Sequence, residues 1–275
     1  MDGEKRGFPA STPHGIRLSA AAFLSTRFVS PARPEDMPIT ALVTGANRGL
    51  GLEWIRQLPD EVDQLYATCR RPADADDLQA LAEAHPGTIT VVGLDVTDDD
   101  AIADVVDRVR REQGALHLLV NNAGVSGGAT SDRFGSVDAE TMTEVLRVNA
   151  VGPHLMTQAF AGLLKTGADE RGTAMVVNVT SQLGSIKRTS GGGWHSYKAS
   201  KAALNMGTRL QAAELKGDDV IVVAMHPGWV RTDMGGSNAR LSTEESVTGM
   251  LDVIDDLQLS HTGQFLAYDG DELPW

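Results

Sequence analysis

Residues 39–58 impose the strongest constraint on how this chain can fold. Ile39-Thr40-Ala41-Leu42-Val43-Thr44 is a short apolar run and reads as a buried strand. It passes directly into Gly45-Ala46-Asn47-Arg48-Gly49-Leu50-Gly51 and then into a helical stretch over 52–58. A glycine trio alone often serves only turn geometry. Between a strand and a helix N-terminus it suits a dinucleotide. Gly45 makes the tight turn, Gly49 lets the backbone approach a pyrophosphate, and Gly51 lets the helix pack on the strand.

The same alternation continues along the chain. Further apolar runs at 65–69, 89–94, 116–121, 174–181, 220–225 and 265–268 read as strands, and periodic stretches such as 101–111 and 139–164 read as helices. The strands are nearly continuous Val/Ile/Leu runs, as expected where both sheet faces are covered. The pattern predicts an α/β fold, a single-domain Rossmann-type doubly wound parallel sheet of about seven strands with helices on both faces. A site would lie at the carboxyl ends of those strands.

Composition narrows the function classes. With 275 residues and 41% apolar content, the chain can bury one substantial core, and nothing suggests a second domain. A formal net charge of −13 argues against a nucleic-acid-binding role, which needs a basic face. Cys69 is the one cysteine, so an intrachain disulfide cannot form and a reducing, cytoplasmic setting is expected. No apolar run approaches the ~20 residues of a membrane span. No Cys/His cluster has metal-ligand spacing, so no metal is expected.

Residues 1–36 stand apart. From Lys5 to Pro34 there is no Asp or Glu, while Lys5, Arg6, Arg17, Arg27 and Arg33 are basic and Ser, Ala and Pro fill much of the rest. Such a segment is expected to be disordered. It reads either as an organelle leader or as an over-called start. The second is preferred because Met37-Pro38 directly precedes the first strand, so residues 37–275 are expected to form the folded domain.

Tyr197 and Lys201 lie in Trp194-His195-Ser196-Tyr197-Lys198-Ala199-Ser200-Lys201. On a helix, a spacing of four puts phenol and ammonium on one face. The ammonium is expected to favour phenolate and to bring the tyrosine from its ordinary pKa of ~10 toward the working pH. That would make the tyrosine a usable general acid or base.

Thr44-Gly45-x-x-x-Gly49-x-Gly51, Asn121-Asn122-Ala123-Gly124, Ser181, Tyr197-x-x-x-Lys201 and Pro227-Gly228 occur in the order of the short-chain dehydrogenase/reductase family. The chain resembles that family over residues 38–275. It is most similar to the carbonyl-reductase-like and C-factor-like members. Residues 45–51, Gly191-Gly192-Gly193-Trp194 and Tyr268-Asp269-Gly270 carry that finer likeness.

The resemblance implies a catalytic set of Asn149, Ser181, Tyr197 and Lys201. Ser181 would donate to a substrate carbonyl oxygen. Tyr197 would protonate that oxygen, or take its proton in oxidation. Lys201 would depress the phenol and bond the nicotinamide ribose, and Asn149 would anchor a water of the proton relay. Locally, Ser181 also suits a cap or turn, with Thr180 beside it, and Asn149 suits a buried structural amide.

For a cofactor the resemblance implies Gly45, Asn47, Arg48, Gly49, Leu50 and Gly51 in the phosphate loop. It puts Asp95 and Val96 on the adenine, although Asp95 also suits a helix cap. Asn122, Ala123 and Gly124 would support the adenosine ribose side or simply lock the sheet. The Val230 backbone and the Thr232 hydroxyl would meet the carboxamide, in a cofactor-binding segment that also includes Pro227 and Gly228. His195 and His226 receive no role. After the second strand, Tyr66-Ala67-Thr68-Cys69-Arg70-Arg71 contains no acid to bond a ribose 2′-hydroxyl. Arg48 and Arg70 stand where relatives that prefer NADP carry cations, and a planar guanidinium grips a phosphate with two bonds. Otherwise Arg70 and Arg71 would be solvated loop charges.

These readings imply an NADP(H)-dependent oxidoreductase acting on a small-molecule carbonyl or alcohol, with a homodimer or homotetramer left open. The alternative is a nucleotide-sensing or signalling protein with incidental turnover, since a fold alone does not fix function. A sugar-nucleotide epimerase or dehydratase is disfavoured by the short tail after Thr232. Ser181 and Tyr197 are separated by a few residues more than in compact members, with Gly191-Gly192-Gly193 filling the gap. The glycine-rich 233–238 segment suggests an open substrate pocket.

Overall fold

The computed structural model describes residues 38–128 and 132–275. The expectation for residues 1–36 lies outside the described residues. Seven parallel strands form one sheet: β1 (Thr40–Thr44), β2 (Gln64–Cys69), β3 (Ile89–Gly93), β4 (Leu118–Asn121), β5 (Ala174–Val179), β6 (Val220–His226) and β7 (Phe265–Ala267). Their order is β3-β2-β1-β4-β5-β6-β7, every neighbouring pair parallel. The order reverses between β1 and β4, the crevice where such sheets bind ligands.

Alternate residues of each strand point to opposite faces, and both faces are buried. Ala41, Val43, Leu65, Val120, Val177 and Val223 pack in one core with α1 (Gly49–Gln57), α2 (Asp76–Ala84) and α7 (Thr243–Asp255), through Trp54, Leu78 and Met250. Leu42, Tyr66, Leu119, Val176 and Val222 pack in the other with α3 (Asp99–Glu112) and α5 (Gly152–Arg171), through Val106, Phe160 and Leu164. Double burial is why the strands read as unbroken apolar runs instead of alternating ones.

The stretch expected as one helix over 139–164 is three pieces. α4 (Ala139–Leu146) enters a π-helical turn at Arg147–Val151, and α5 then runs on to Arg171. Pro153 accounts for the break, because it has no N–H to give the carbonyl of Asn149 four residues earlier. π-turns of this kind concentrate at functional sites. α6 (His195–Leu215) carries the Tyr-x-x-x-Lys pair.

Candidate active site

The carboxyl ends of the strands open into one cleft of about 1030 Å³. It is lined by every sequence-predicted site residue except Asn149. Tyr197 and Lys201 arrive on α6, Ser181 from the end of β5, the glycine loop from β1, Arg70 from β2, and Pro227–Thr232 from β6.

At the glycine loop, geometry explains the residue types. A Cβ at Gly51 would sit 2.0 Å from the Gly45 carbonyl oxygen, and one at Gly45, whose φ is +68°, would sit 2.9 Å from the Ala123 Cα. The Asn122 side chain donates to the carbonyls of Thr44 (2.9 Å) and Gly45 (3.3 Å), tying the end of β4 to the loop. The locking role expected as the alternative for Asn122 is therefore present. The N-cap of α1, Arg48, makes no side-chain capping bond, and the first turn of the helix holds no acid. Its N–H groups and dipole are left facing the cleft.

Arg48 lines the cleft with its guanidinium already paired. Its Nη1 lies 2.8 Å from the Asp233 Oδ2 on the loop after β6. Arg70 lines the cleft. Arg71 turns to Asp74 at 3.4 Å, a surface pair. Asp95 accepts bonds from the Thr97 N–H (2.9 Å) and hydroxyl (2.7 Å). Burial works to raise the Asp95 carboxyl, but those bonds, with Arg70 and Arg147 nearby, hold it below its ordinary range. The helix-cap alternative belongs instead to Asp98, which accepts from the N–H groups of Asp100 and Ala101 at the start of α3.

Thr180 and Ser181, just beyond β5, both border the cleft, but their hydroxyls have different partners. The Thr180 hydroxyl turns inward and donates to the Asn205 Oδ1 at 2.7 Å. Ser181 faces the cleft and also accepts from the Leu183 N–H at 3.1 Å, so it is both a turn residue and a cleft residue.

Tyr197 is 9% exposed and Lys201 5%. The Lys201 ammonium lies 5.8 Å from the centre of the Tyr197 ring and donates to the Val179 carbonyl at 2.8 Å. Contrary to expectation, the phenol is not depressed. Burial pushes it up to about 12, against a lowering contribution from its hydrogen bond with Ser181. Burial also brings Lys201 down to about 8, so the ammonium is itself destabilised. The four-residue spacing puts the two groups together, but burial dominates the shift of each.

Asn149 is fully buried in the π-turn and stands apart from the cleft wall. Its amide is consumed by the chain itself. Oδ1 accepts from the Val125 N–H (2.8 Å), and Nδ2 donates to the Val125 carbonyl (2.8 Å) and the Ser200 Oγ (3.0 Å). Ser200 in turn donates to the Tyr197 carbonyl at 2.8 Å. The expected water anchor is thus, through its side chain, a clamp between the 125 loop and α6.

Beyond Pro227, the loop after β6 is held by its own bonds. The Trp229 Nε1 donates to the Gly235 carbonyl at 2.8 Å, and the Thr232 hydroxyl accepts from the Gly235 N–H at 3.1 Å. A Cβ on Gly235 would lie 2.0 Å from the Val230 carbonyl oxygen. Leu183, Trp194, Trp229 and Met234 line the cleft and were assigned no role from sequence. The signal available for Trp229 was its position directly after Pro227-Gly228 at a strand's carboxyl end. Among the described residues, no group of three or more His, Cys, Asp or Glu could hold a metal ion. No helix among them is long and apolar enough to cross a membrane.

Comparison with known proteins points the same way as the geometry. A family model described as short chain dehydrogenase matches residues 39–241. A curated relative, the C-signal of Myxococcus xanthus, is 44% identical over 162 residues, 59% of this chain and 94% of its own. Carbonyl reductase Sniffer of D. melanogaster superposes with a TM-score of 0.81 at 34% identity, covering 86% of this chain and 99% of its own. The NADPH-bound carbonyl reductase from chicken fatty liver superposes with a TM-score of 0.80 at 38% identity, covering 86% and 98%.

Proposed function

The chain belongs to the short-chain dehydrogenase/reductase family, and on that premise we propose that it is an NADP(H)-dependent oxidoreductase interconverting a small-molecule ketone or aldehyde with its alcohol. The observation that carries the reading is the meeting of Ser181, Tyr197 and Lys201 on one wall of a cleft that also holds Arg70.

The cofactor end fits the group. Gly51 leaves no room for a Cβ, the N-terminus of α1 is free of side-chain caps, and no acid follows β2 before Asp74. The phosphate loop 45–51 would hold the pyrophosphate. Arg70 and Arg48 would hold the 2′-phosphate, Asp95 and Val96 the adenine, and Asn122, Ala123 and Gly124 the adenosine ribose side. The Val230 backbone and the Thr232 hydroxyl would meet the carboxamide, in a cofactor-binding segment that also includes Pro227 and Gly228. When bound, the cofactor supplies the hydride. The NADPH named for the chicken enzyme supports this assignment.

The protein's part is the proton and its surroundings. With the phenol pushed up to about 12, Tyr197 keeps its proton at ordinary pH. It is then ready to donate to a carbonyl oxygen that Ser181 bonds from beside it. In the reverse direction Tyr197 takes the alcohol proton. Lys201 would bond the nicotinamide ribose, and Asn149 with Ser200 holds the main chain beneath the phenol. A cytoplasmic setting is proposed with it, supported by there being a single cysteine, Cys69, which can form no intrachain disulfide.

A second reading has a specific foothold. One relative carries the name of a signal and no enzymatic title, so a nucleotide-sensing protein with incidental turnover is the alternative. Titration with NADPH and NADH, followed by a carbonyl panel read by NADPH loss, separates the two. NADPH-selective binding with turnover that Tyr197→Phe abolishes is the expected result. Binding without turnover across the panel would favour the signalling reading, and absence of binding would overturn both.

A further inference from the structure

α6 begins without a cap of its own. Its N-cap residue, Trp194, offers no side-chain acceptor and sits in the left-handed region at φ 58°, ψ 40°. That conformation is unfavourable for a bulky residue and persists only where the surroundings enforce it. The first N–H groups of a helix need acceptors from elsewhere. Here they come from a residue distant in sequence. Asp132, 4% exposed, accepts from the Ser196 N–H at 2.7 Å through Oδ2 and from the Ser196 hydroxyl at 2.9 Å through Oδ1, across 64 residues. Its backbone carbonyl accepts from the His195 N–H at 3.5 Å. Ser196 is the second residue of the helix, where a cap side chain normally acts, and a carboxylate there also complements the helix dipole.

Tyr197 is the next residue. The Trp194 ring meets the Tyr197 ring edge-on, with centroids 5.9 Å apart and planes at 65°. Trp194 also lines the cleft. One carboxylate therefore sets where the helix starts, and through that start it sets the strained turn and the aromatic wall against the phenol. We propose that Asp132 is a positioning residue for the reaction: capping α6 from the distant loop, it holds Trp194 in its left-handed turn and so fixes the direction in which the Tyr197 hydroxyl faces the cleft.

The proposal rests on the oxidoreductase reading for its kinetic consequence but not for its structural one, and the test separates them. Tyrosines are labelled with carbon-13, the Tyr197 resonance is assigned by its loss in Tyr197→Phe, and the spectrum is recorded for Asp132→Ala, Asp132→Asn and Ser196→Ala. Asp132→Ala is expected to move the Tyr197 resonance and to lower kcat by at least about 10-fold, since small misplacements of a catalytic group are costly. The dissociation constant for NADPH should stay near wild type, because Asp132 is not among the residues lining the cleft. Asp132→Asn keeps an oxygen for the Ser196 N–H and is expected to restore both readouts to near wild type. Ser196→Ala removes only the 2.9 Å bond and is expected to move the resonance less, which gives a reading should Asp132→Ala fold poorly. A Tyr197 resonance unchanged in Asp132→Ala and Ser196→Ala would overturn the proposal, as would Asp132→Asn as impaired as Asp132→Ala. Failure to find any reduced carbonyl would sink the enzymatic reading while leaving the resonance shift to decide the role of Asp132.

Discussion

Arg48 and Asp233 face each other over the cleft, Nη1 to Oδ2 at 2.8 Å, joining the glycine loop to the loop after β6. Both side chains are exposed, 67% and 81%, so the pair is a weak one. It nonetheless engages the cation proposed to meet a phosphate. Asp233→Asn is expected to tighten NADPH binding by about 0–1 kcal/mol, at most a few-fold in Kd. NADH, without the 2′-phosphate, should change less. Parallel fluorescence titrations check this, and weaker NADPH binding in the variant would contradict it.

Arg70→Asp combined with Arg48→Ala removes the guanidinium groups and installs the acid that a ribose 2′-hydroxyl prefers. A charge-assisted bond contributes about 1.5–3 kcal/mol, so the NADPH-to-NADH ratio of kcat/KM should fall by about 10-fold or more. Steady-state kinetics with both cofactors decide it, and an unchanged ratio would refute the phosphate-clamp reading.

Ser181 and Thr180 are adjacent hydroxyls with opposite surroundings. Ser181→Ala should lower kcat by about 10²-fold, as loss of an oxyanion donor does, with little change in thermal stability. Thr180→Ala should do the reverse, because its hydroxyl is spent on buried Asn205 at 2.7 Å and the Asn205 amide loses a partner. Measuring kcat and Tm for both variants tests the contrast. Equal kinetic losses would show that the bond to Asn205 does not keep the Thr180 hydroxyl out of the reaction.

Lys201 has a pH signature in stability. Burial lowers it from 10.5 to about 8 in the folded protein. Between those values the unfolded chain holds a proton that the folded chain has released, so this residue's contribution to stability rises with pH there. Below about pH 8 the folded state carries a buried ammonium. Lys201→Met should therefore be inactive yet melt higher than wild type at pH 7, with the gain shrinking toward pH 10. Thermal melts across that range check both the sign and the window. A variant that melts lower at every pH would show that the Val179 bond outweighs the burial cost.

The strands were legible because Ala41 and Val43 face one core while Leu42 faces the other, leaving no exposed position in the run. The glycine loop was legible because Gly51 has no room for a Cβ. What stayed hidden depends on burial and on distance along the chain. A four-residue spacing shows that Lys201 is near Tyr197, but not that both are buried, and burial sets the sign of the phenol's shift. Asn149 was found as a residue, yet its amide partners at Val125 and Ser200 lie in other segments. The bond from Ser196 to Asp132 spans 64 residues and leaves no local pattern. Pro153 was visible in the sequence and would have predicted the break in the helix at 147–151, had its missing N–H been set against the carbonyl of Asn149.

A π-turn contains one residue more than the α-turn it replaces, so α4 and α5 are out of phase by roughly 100° of rotation about their common axis. Val145 and Met156 are eleven residues apart, about three turns, so a regular helix would turn both to one side; with the offset, α4 packs against α6 while α5 packs on the sheet through Met156 and Phe160. Deleting one residue from 147–151 would remove that offset, leaving only the bond that Pro153 cannot make, while swinging all of α4 by more than a quarter-turn. In this segment the number of residues, more than their identity, keeps α4 on α6 while α5 stays on the sheet.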